Sequence, residues 1–202
     1  MNEDFRILSG KWQDTYTAKD GTKTVSDVHH NQIQDSAYVV VASLLANQFS
    51  QANVPVATPT TFGISHIDYG SGDVLWDAQA NQPVQQLTTQ TQCTNAVYRQ
   101  AINQSQITFV PVGDPFGGVG VSQTPTDRIR LTLVLTEQEP ATSNGDISLR
   151  EFGIFCRYND DANTADLINE GLMFNWVIHP LIEKDDTLRI DRVIEISISR
   201  CP

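Results

Sequence analysis

The amino-acid sequence predicts a mainly β (α+β) protein: an antiparallel β-sandwich-like domain with one amphipathic helix, from its N-terminal half, packed on it. Short apolar segments with alternating polarity recur along the second half of the chain, and this period of two is typical of strands that bury one face. Gly, Pro, Asn and Asp residues separate the segments, as in turns between antiparallel strands. One earlier stretch has apolar residues every three or four positions, which indicates a single helix.

The polar N-terminal region and the helix come first along the chain. Residues 1–28 are predicted to form an extended arm or a short hairpin, because Asp20-Gly21 is typical of a tight turn. A helix is predicted over about Asn31–Phe49, and Pro55 bars its continuation. Its apolar stripe consists of Ile33, Ala37, Val40, Val41, Leu44 and Leu45.

Residues 29–202, which include this helix, are predicted to form one β-rich domain. The segment Tyr69–Asp73 is predicted to be a turn. The Gln-, Thr- and Asn-rich stretch Gln82–Asn95 is interpreted as a surface crossing or an edge segment. Strands are predicted around Phe62–His66, Ile107–Val110, Ile129–Leu135, Ile147–Phe155, Leu172–Ile178 and Leu188–Ile198.

Charge and hydropathy argue against two classes of partner. The chain has 24 acidic and 13 basic residues, a net charge of -11, so it repels phosphate backbones at long range. The longest apolar run, Ala37–Ala42, is far shorter than the about 20 residues of a membrane span. The N-terminus has neither the basic nor the apolar part of a signal sequence. We therefore expect a soluble chain, made in a cytoplasm, that binds neither nucleic acid nor membrane.

The sequence patterns of familiar catalytic and metal sites do not occur. The pair His29-His30 has no further ligands at a recognised spacing. The Gly-rich segment 113–122 lacks the Lys and the following helix of a phosphate-binding loop. We interpret this segment as a flexible hairpin loop that a neighbouring subunit could order. No catalytic, cofactor-binding or metal-ligating residue is predicted, and no small-molecule substrate is expected.

The strand segment Glu151-Phe152-Gly153-Ile154-Phe155 combines residue types in an unusual order. Phe152 and Ile154 lie on one face of such a strand, and Gly153 lets another backbone or an aromatic ring approach closely. Glu151 is either an ordinary solvated residue or a buried one that needs a partner. For the buried case, the expected partners are Arg128, Arg130 and Arg192.

Two segments resemble the pattern of one protein family. Phe62–Gly72 follows the predicted helix and is similar to an apolar strand that ends in a Gly-x-Gly turn, and Ile147–Phe155 is similar to a strand of the form I-x-E-I-G-L-F. Both patterns occur in bacteriophage tail, collar and fibre-associated structural proteins. The resemblance covers about residues 31–198, although the final strand lacks the Trp that the family often carries. Later elements with counterparts in the same order are Leu172–Ile178, Pro180, Lys184 and Leu188–Ile198.

The resemblance implies a structural component of a tailed-phage virion, without enzymatic activity, at the neck or collar, the tail or the capsid. Such a chain is made in the host cytoplasm and located in the virion. Its implied partners are other copies of itself and neighbouring virion proteins, and we expect a homo-oligomeric ring or cluster. Large apolar and aromatic residues anchor many interfaces. The residues expected at the interface are Phe5, Leu8, Trp12, Tyr16 and Phe116.

An alternative is a receptor- or carbohydrate-binding module of a tail fibre or baseplate. Exposed tryptophan rings could stack on sugars, but three tryptophans in a chain of this length are more often core residues. The candidate rings are Trp12, Trp76 and Trp176.

Overall fold

The structure of the chain is a computed structural model. It describes residues 8–35, 37, 63–78, 89–140, 146–157, 168 and 171–198. The predicted fold class is confirmed: the protein is mainly β, and its two antiparallel sheets fit a β-sandwich-like fold. In chain order the strands are β1 (Leu8–Thr17), β2 (Lys23–Val25), β3 (His29–Ile33), β4 (Gly63–Gly70), β5 (Ala96–Ala101), β6 (Ile107–Phe109), β7 (Arg128–Leu135), β8 (Ile147–Arg157), β9 (Leu172–Lys184) and β10 (Arg189–Ile198).

The chain divides into two compact units, whereas an arm and a single domain were predicted. Each unit is discontinuous in sequence, so its strands are brought together by contacts between distant segments. The first unit takes Met1–Asn31, Asn103–Ile147 and Lys184–Pro202, and the second takes Gln32–Ile102 and Ser148–Glu183.

The sheet of the first unit is ordered β1–β10–β7–β6. β1 pairs with β10 along its whole length, from Leu8 opposite Ile198 to Thr17 opposite Arg189. The other edge of β1 pairs with β2 and with the first residues of β3. The alternation predicted for β7 and β10 is observed, because their apolar side chains share one buried face. These side chains are Leu131, Leu133, Leu135, Ile190, Ile194 and Ile196.

The described part of the N-terminal region belongs to this sheet and does not form an extended arm. The tight turn at Asp20-Gly21 is present, since Gly21 has a φ of 84°, and the chain returns as β2, so the hairpin alternative is confirmed. The arm prediction is wrong because the partner of β1 is the last strand of the chain. Asp14 and Arg192 join these two strands as a buried pair, with N–O distances of 2.7 and 2.6 Å.

The sheet of the second unit is ordered β5–β4–β8–β9, and the end of β3 pairs with β9. The turn predicted after β4 is present, and Gly72 has a φ of 55° there. Strand β5 was not predicted; it begins directly after the amide-rich stretch Gln82–Asn95, and its side chains are mostly half-buried. The core of this unit contains Trp76, Cys93, Phe155, Met173, Trp176 and Ile178.

The Glu-Phe-Gly-Ile-Phe segment lies in β8 and is buried. A Cβ on Gly153 would lie 3.1 Å from Cε2 of the Phe155 ring, which fits the expected approach of an aromatic ring, but the nearest atom is Met173 Cε at 2.7 Å. Glu151 is fully buried, and it accepts hydrogen bonds from Trp176 Nε1 at 2.7 Å and from the Asn95 N–H at 3.0 Å. The predicted arginine partners are wrong, because these side chains belong to the first unit and pair there. Arg192 pairs with Asp14, and Arg128 and Arg130 pair with Glu195.

The helix predicted over Asn31–Phe49 does not begin where expected. Its first residues belong to strand β3, in which Asn31 lies opposite Gly10 and Ile33 lies opposite Asn175. These long-range backbone pairings outweigh the local helical periodicity, as tertiary context often does. Residues 38–49 of the predicted helix, including Leu44, lie outside the described residues.

Candidate protein-docking site

The residues expected at an interface lie in different environments. Leu8 and Trp12 are buried within the first unit, at 4% and 2% exposure, because they lie on the covered face of β1, whereas Ser9 and Lys11 on its other face are exposed. The folded chain therefore cannot offer them to a neighbour, and the prediction is wrong for both. Tyr16 is half-buried, and Phe5 lies outside the described residues. Phe116 is half-buried in the loop that joins β6 to β7, so this loop remains as the candidate site.

The loop between β6 and β7 displays apolar side chains to solvent. Val112 is 90% exposed and Val119 is 96% exposed, and Val121 and Phe109 are exposed as well. Several exposed apolar side chains on one loop can mark an interaction site. We define Phe109, Val112, Val119 and Val121 as the ridge.

The ridge residues belong to two short segments that run side by side. Phe109 pairs with Ser122 in an isolated antiparallel bridge, and the Ser122 N–H donates to the Phe109 carbonyl at 2.8 Å. Farther along, a Cβ on Gly120 would lie 3.1 Å from Pro111 Cγ. At the tip, Gly117 has a φ of 70°, in the left-handed region that favours glycine. The ridge is therefore carried by one compact turn of the chain.

Charged side chains of the sheet form a cluster behind the loop. Arg128 and Arg130 project from the same face of β7, because side chains two positions apart share a face, and Glu195 of β10 lies opposite Arg130 in register. The Glu195 carboxylate accepts hydrogen bonds from Arg130 Nε at 2.9 Å and from Arg128 Nη2 at 2.5 Å. Arg128 also donates to the Asp114 carbonyl of the loop at 2.7 Å. Buried charges arranged in this way satisfy one another's hydrogen bonds.

The loop is bound directly to this charge cluster. Asp114 Oδ2 accepts from Arg130 Nη2 at 3.1 Å, and the Gly120 carbonyl accepts from Arg130 Nη1 at 3.1 Å. The Gly117 N–H donates to Glu195 Oε1 at 3.1 Å. The loop is thus supported by its own chain, whereas the sequence was interpreted as a flexible hairpin loop that a neighbouring subunit could order.

The ridge can make apolar contacts with a partner while hydrogen bonds to the charge cluster hold the loop in place. Two carboxylates and two guanidinium groups behind the loop offset one another, so covering the ridge leaves no unpaired charge in this cluster. The Gly-rich pattern of segment 113–122 and Phe116 pointed to this loop, whereas the ridge valines and Glu195 were not predicted as site residues. The available signal was the position of Val119 between two glycines, where no adjacent side chain can cover it.

The tryptophans considered for sugar stacking are buried. Trp12 stacks on His29 with ring centroids 4.7 Å apart, and the Arg192 guanidinium lies 5.3 Å from the Trp12 ring centroid. In the second unit, Trp76 meets Trp176 edge-on at 6.4 Å. These rings serve the cores of their own units, and none of them presents an open face for a sugar.

Comparisons of the chain with protein-family models, with curated proteins and with solved structures found no match. Within the described ranges, no group of three or more His, Cys, Asp or Glu side chains could hold a metal ion. In the same part of the chain, no helix has the length and apolar character needed to cross a membrane. The feature of the described residues that points to a function is the exposed ridge on its charged support.

Proposed function

We propose that the chain is a structural subunit of a tailed-phage virion, of neck, collar, tail or capsid-associated type, and that it assembles by docking its ridge against another copy of itself. The observation that carries the proposal is the near-complete exposure of Val112 and Val119, at 90% and 96%, on a loop supported by a buried charge cluster. The resemblance of Phe62–Gly72 and Ile147–Phe155 to phage structural proteins supports the virion setting.

The size of the ridge favours a contact that is repeated many times. Complete burial of one Val, Leu, Ile or Phe side chain contributes about 1.5–3 kcal/mol, which at about 25 cal/mol per Å² corresponds to about 60–120 Å² of apolar surface. Four such side chains therefore bury at most on the order of 240–480 Å², and the ridge buries less because Phe109 and Val121 are only 37% and 52% exposed. A stable isolated interface buries about 800 Å² on each partner. One ridge contact is therefore too small for a lasting dimer, whereas a closed ring adds such contacts together. The proposed occupant is a second copy of the chain in a ring of this kind.

The charge of the chain predicts how this assembly depends on salt. Each copy has a net charge of -11, so two copies repel each other at low ionic strength. Salt screens this repulsion over about 10 Å at 0.1 M, while the apolar contact of the ridge is retained. Assembly should therefore become stronger as salt is added, which is opposite to the behaviour of an interface built from surface ion pairs.

The test compares ridge variants with a matched exposed valine elsewhere. Val112→Asp and Val119→Asp place a charge in the ridge, and Val25→Asp makes the same change at a 57% exposed position on β2. Sedimentation equilibrium across protein concentration and salt should show multimers for the wild type and Val25→Asp, and monomers for both ridge variants. If the ridge variants assemble as the wild type does, the ridge is not the contact. Turnover of a glycan or peptidoglycan substrate would contradict the structural role.

A further inference from the structure

The loop that carries the ridge meets the sheet through polar contacts. From Pro111 to Gly120, every hydrogen bond that joins a described loop residue to β7 or β10 involves Arg128, Arg130 or Glu195. The side chains of Val112 and Val119 face solvent, so they add no apolar support to the loop in the free chain. Phe116 is half-buried, but the hydrogen bonds that hold the loop on β7 and β10 all involve the charge cluster behind it.

Glu195 is the centre of this cluster. Its Oε1 atom accepts from Arg130 Nε and from the Gly117 N–H of the loop, at 2.9 and 3.1 Å, and its Oε2 atom accepts from Arg128. Each arginine in turn donates to Asp114 on the loop. Without the Glu195 carboxylate, two neighbouring guanidinium groups on one strand face would share a single carboxylate. Their repulsion, and their demand for water, would then favour an open loop.

We infer that Glu195 is a positioning residue for docking: its carboxylate holds the loop in the shape that displays the ridge. Glu195 is itself 3% exposed, so it contributes no surface to the contact. The inference rests on the proposed function, because it states how the same docking site is built. The loop thereby has a polar side that fixes its shape and an apolar side that binds the partner. Because the binding element is already formed, it loses less conformational entropy on association.

Hydrogen exchange on the isolated protein tests the positioning role, with Glu195→Gln compared with Asp14→Asn. Both substitutions remove the charge of a buried carboxylate that pairs with arginine in the same sheet, but Asp14 pairs with Arg192 and not with the loop. In Glu195→Gln, amide exchange at Gly117 should accelerate about tenfold or more, since its charged acceptor is lost, while β7 and β10 stay protected. In Asp14→Asn, any acceleration should be shared by the loop and the strands of the first unit, because the broken pair destabilises the unit as a whole.

A second variant keeps the test decisive if Glu195→Gln does not fold. Asp114→Asn changes the loop side of the same cluster, at a partly exposed position, and leaves the sheet residues intact. It should also accelerate exchange in the loop. Unchanged loop exchange in both variants overturns the inference, as does equal acceleration of the whole first unit in Glu195→Gln and Asp14→Asn.

The mass measurement separates this inference from the proposed function. Glu195→Gln and Asp114→Asn should form fewer multimers than the wild type, while Val25→Asp should not differ from it. If Val119→Asp prevents assembly but Glu195→Gln with a loosened loop assembles normally, the positioning role is overturned and the docking ridge stands. If Val119→Asp and Glu195→Gln both assemble normally, the proposed function fails, and the docking role of Glu195 fails with it.

Discussion

Arg192→Met removes one partner of a fully buried ion pair that joins the first strand to the last. Arg192 Nε and Nη2 lie 2.7 and 2.6 Å from the two carboxylate oxygens of Asp14, and the two side chains are 1% and 0% exposed. The two residues face each other in the register of β1 and β10. The guanidinium also lies over the Trp12 ring, so the pair is part of the packing of the first unit.

The expected cost follows from the burial of this pair. Removing one partner of a buried ion pair costs about 3–5 kcal/mol, because the remaining charge has no compensation. Native domains are stable by only about 5–15 kcal/mol, so Arg192→Met should lose a large part of the free energy of unfolding. The double variant Asp14→Leu/Arg192→Met should recover most of this loss, since replacing a whole buried pair by apolar residues is often neutral or stabilising.

Urea unfolding followed by tryptophan fluorescence measures these free energies. The matched control is Arg189→Met on the same strand. Arg189 and its partner Asp191 are both partly exposed, with 39% and 32% of their side chains accessible. The control should cost less than about 1 kcal/mol, as exposed pairs do. If Arg192→Met costs no more than the control, the N-terminal strand is not an integral part of the fold, and the arm interpretation returns.

Four further outcomes are expected. Deleting β1 should unfold the first unit, detected as loss of β-type circular dichroism, whereas deletion of an arm would leave it folded. Gly153→Ala should cost about 1–3 kcal/mol in urea unfolding, because overpacking strains a core: the flexible end of Met173 can move away, but the new Cβ would still lie 3.1 Å from Phe155 Cε2 and 3.2 Å from Cys93 Sγ. Arg150 lowers the pKa of the Asp77 carboxyl through a hydrogen bond, so this group binds fewer protons in the folded state. The stability that the ionised Asp77 contributes should be complete above about pH 4 and should be lost as the pH falls through the lowered pKa. In Asp77→Asn, the free energy of unfolding should therefore fall less steeply as the solution is acidified. Burial raises the pKa of the Cys156 thiol to about 12, so peptide mapping should find it alkylated by iodoacetamide at pH 8 only after unfolding; rapid native labelling would contradict its burial.

Strands with strong alternation could be predicted from the sequence, because their pattern is local. The apolar residues of β7 and β10 alternate with polar ones, and the Asp20-Gly21 turn carries its own chemical signature. Strand β5 could not be predicted in this way. Its residues are mostly half-buried, and its position is set by pairing with β4.

The features that sequence reasoning missed depend on partners that are distant along the chain. Asp14 meets a residue 178 positions away, so a polar N-terminal segment had the pattern of an arm while forming an interior strand. Glu151 was correctly considered as a buried residue, but its hydrogen-bond donors are Trp176 and a backbone N–H, and no local pattern distinguishes them from arginine. The loop could be identified from its glycines because they are a local pattern. Its support by Glu195 could not be predicted, because Glu195 is distant from the loop along the chain.

The most direct test of the central claim is the number of copies of this chain in purified phage particles, measured by quantitative mass spectrometry against a labelled standard. A structural subunit that assembles through repeated ridge contacts should be present in a fixed number of copies, several per particle. Particles that carry Val119→Asp should contain far fewer copies than particles that carry Val25→Asp. Absence of the wild-type chain from particles, in a lysate that contains the soluble protein, would contradict the proposed function.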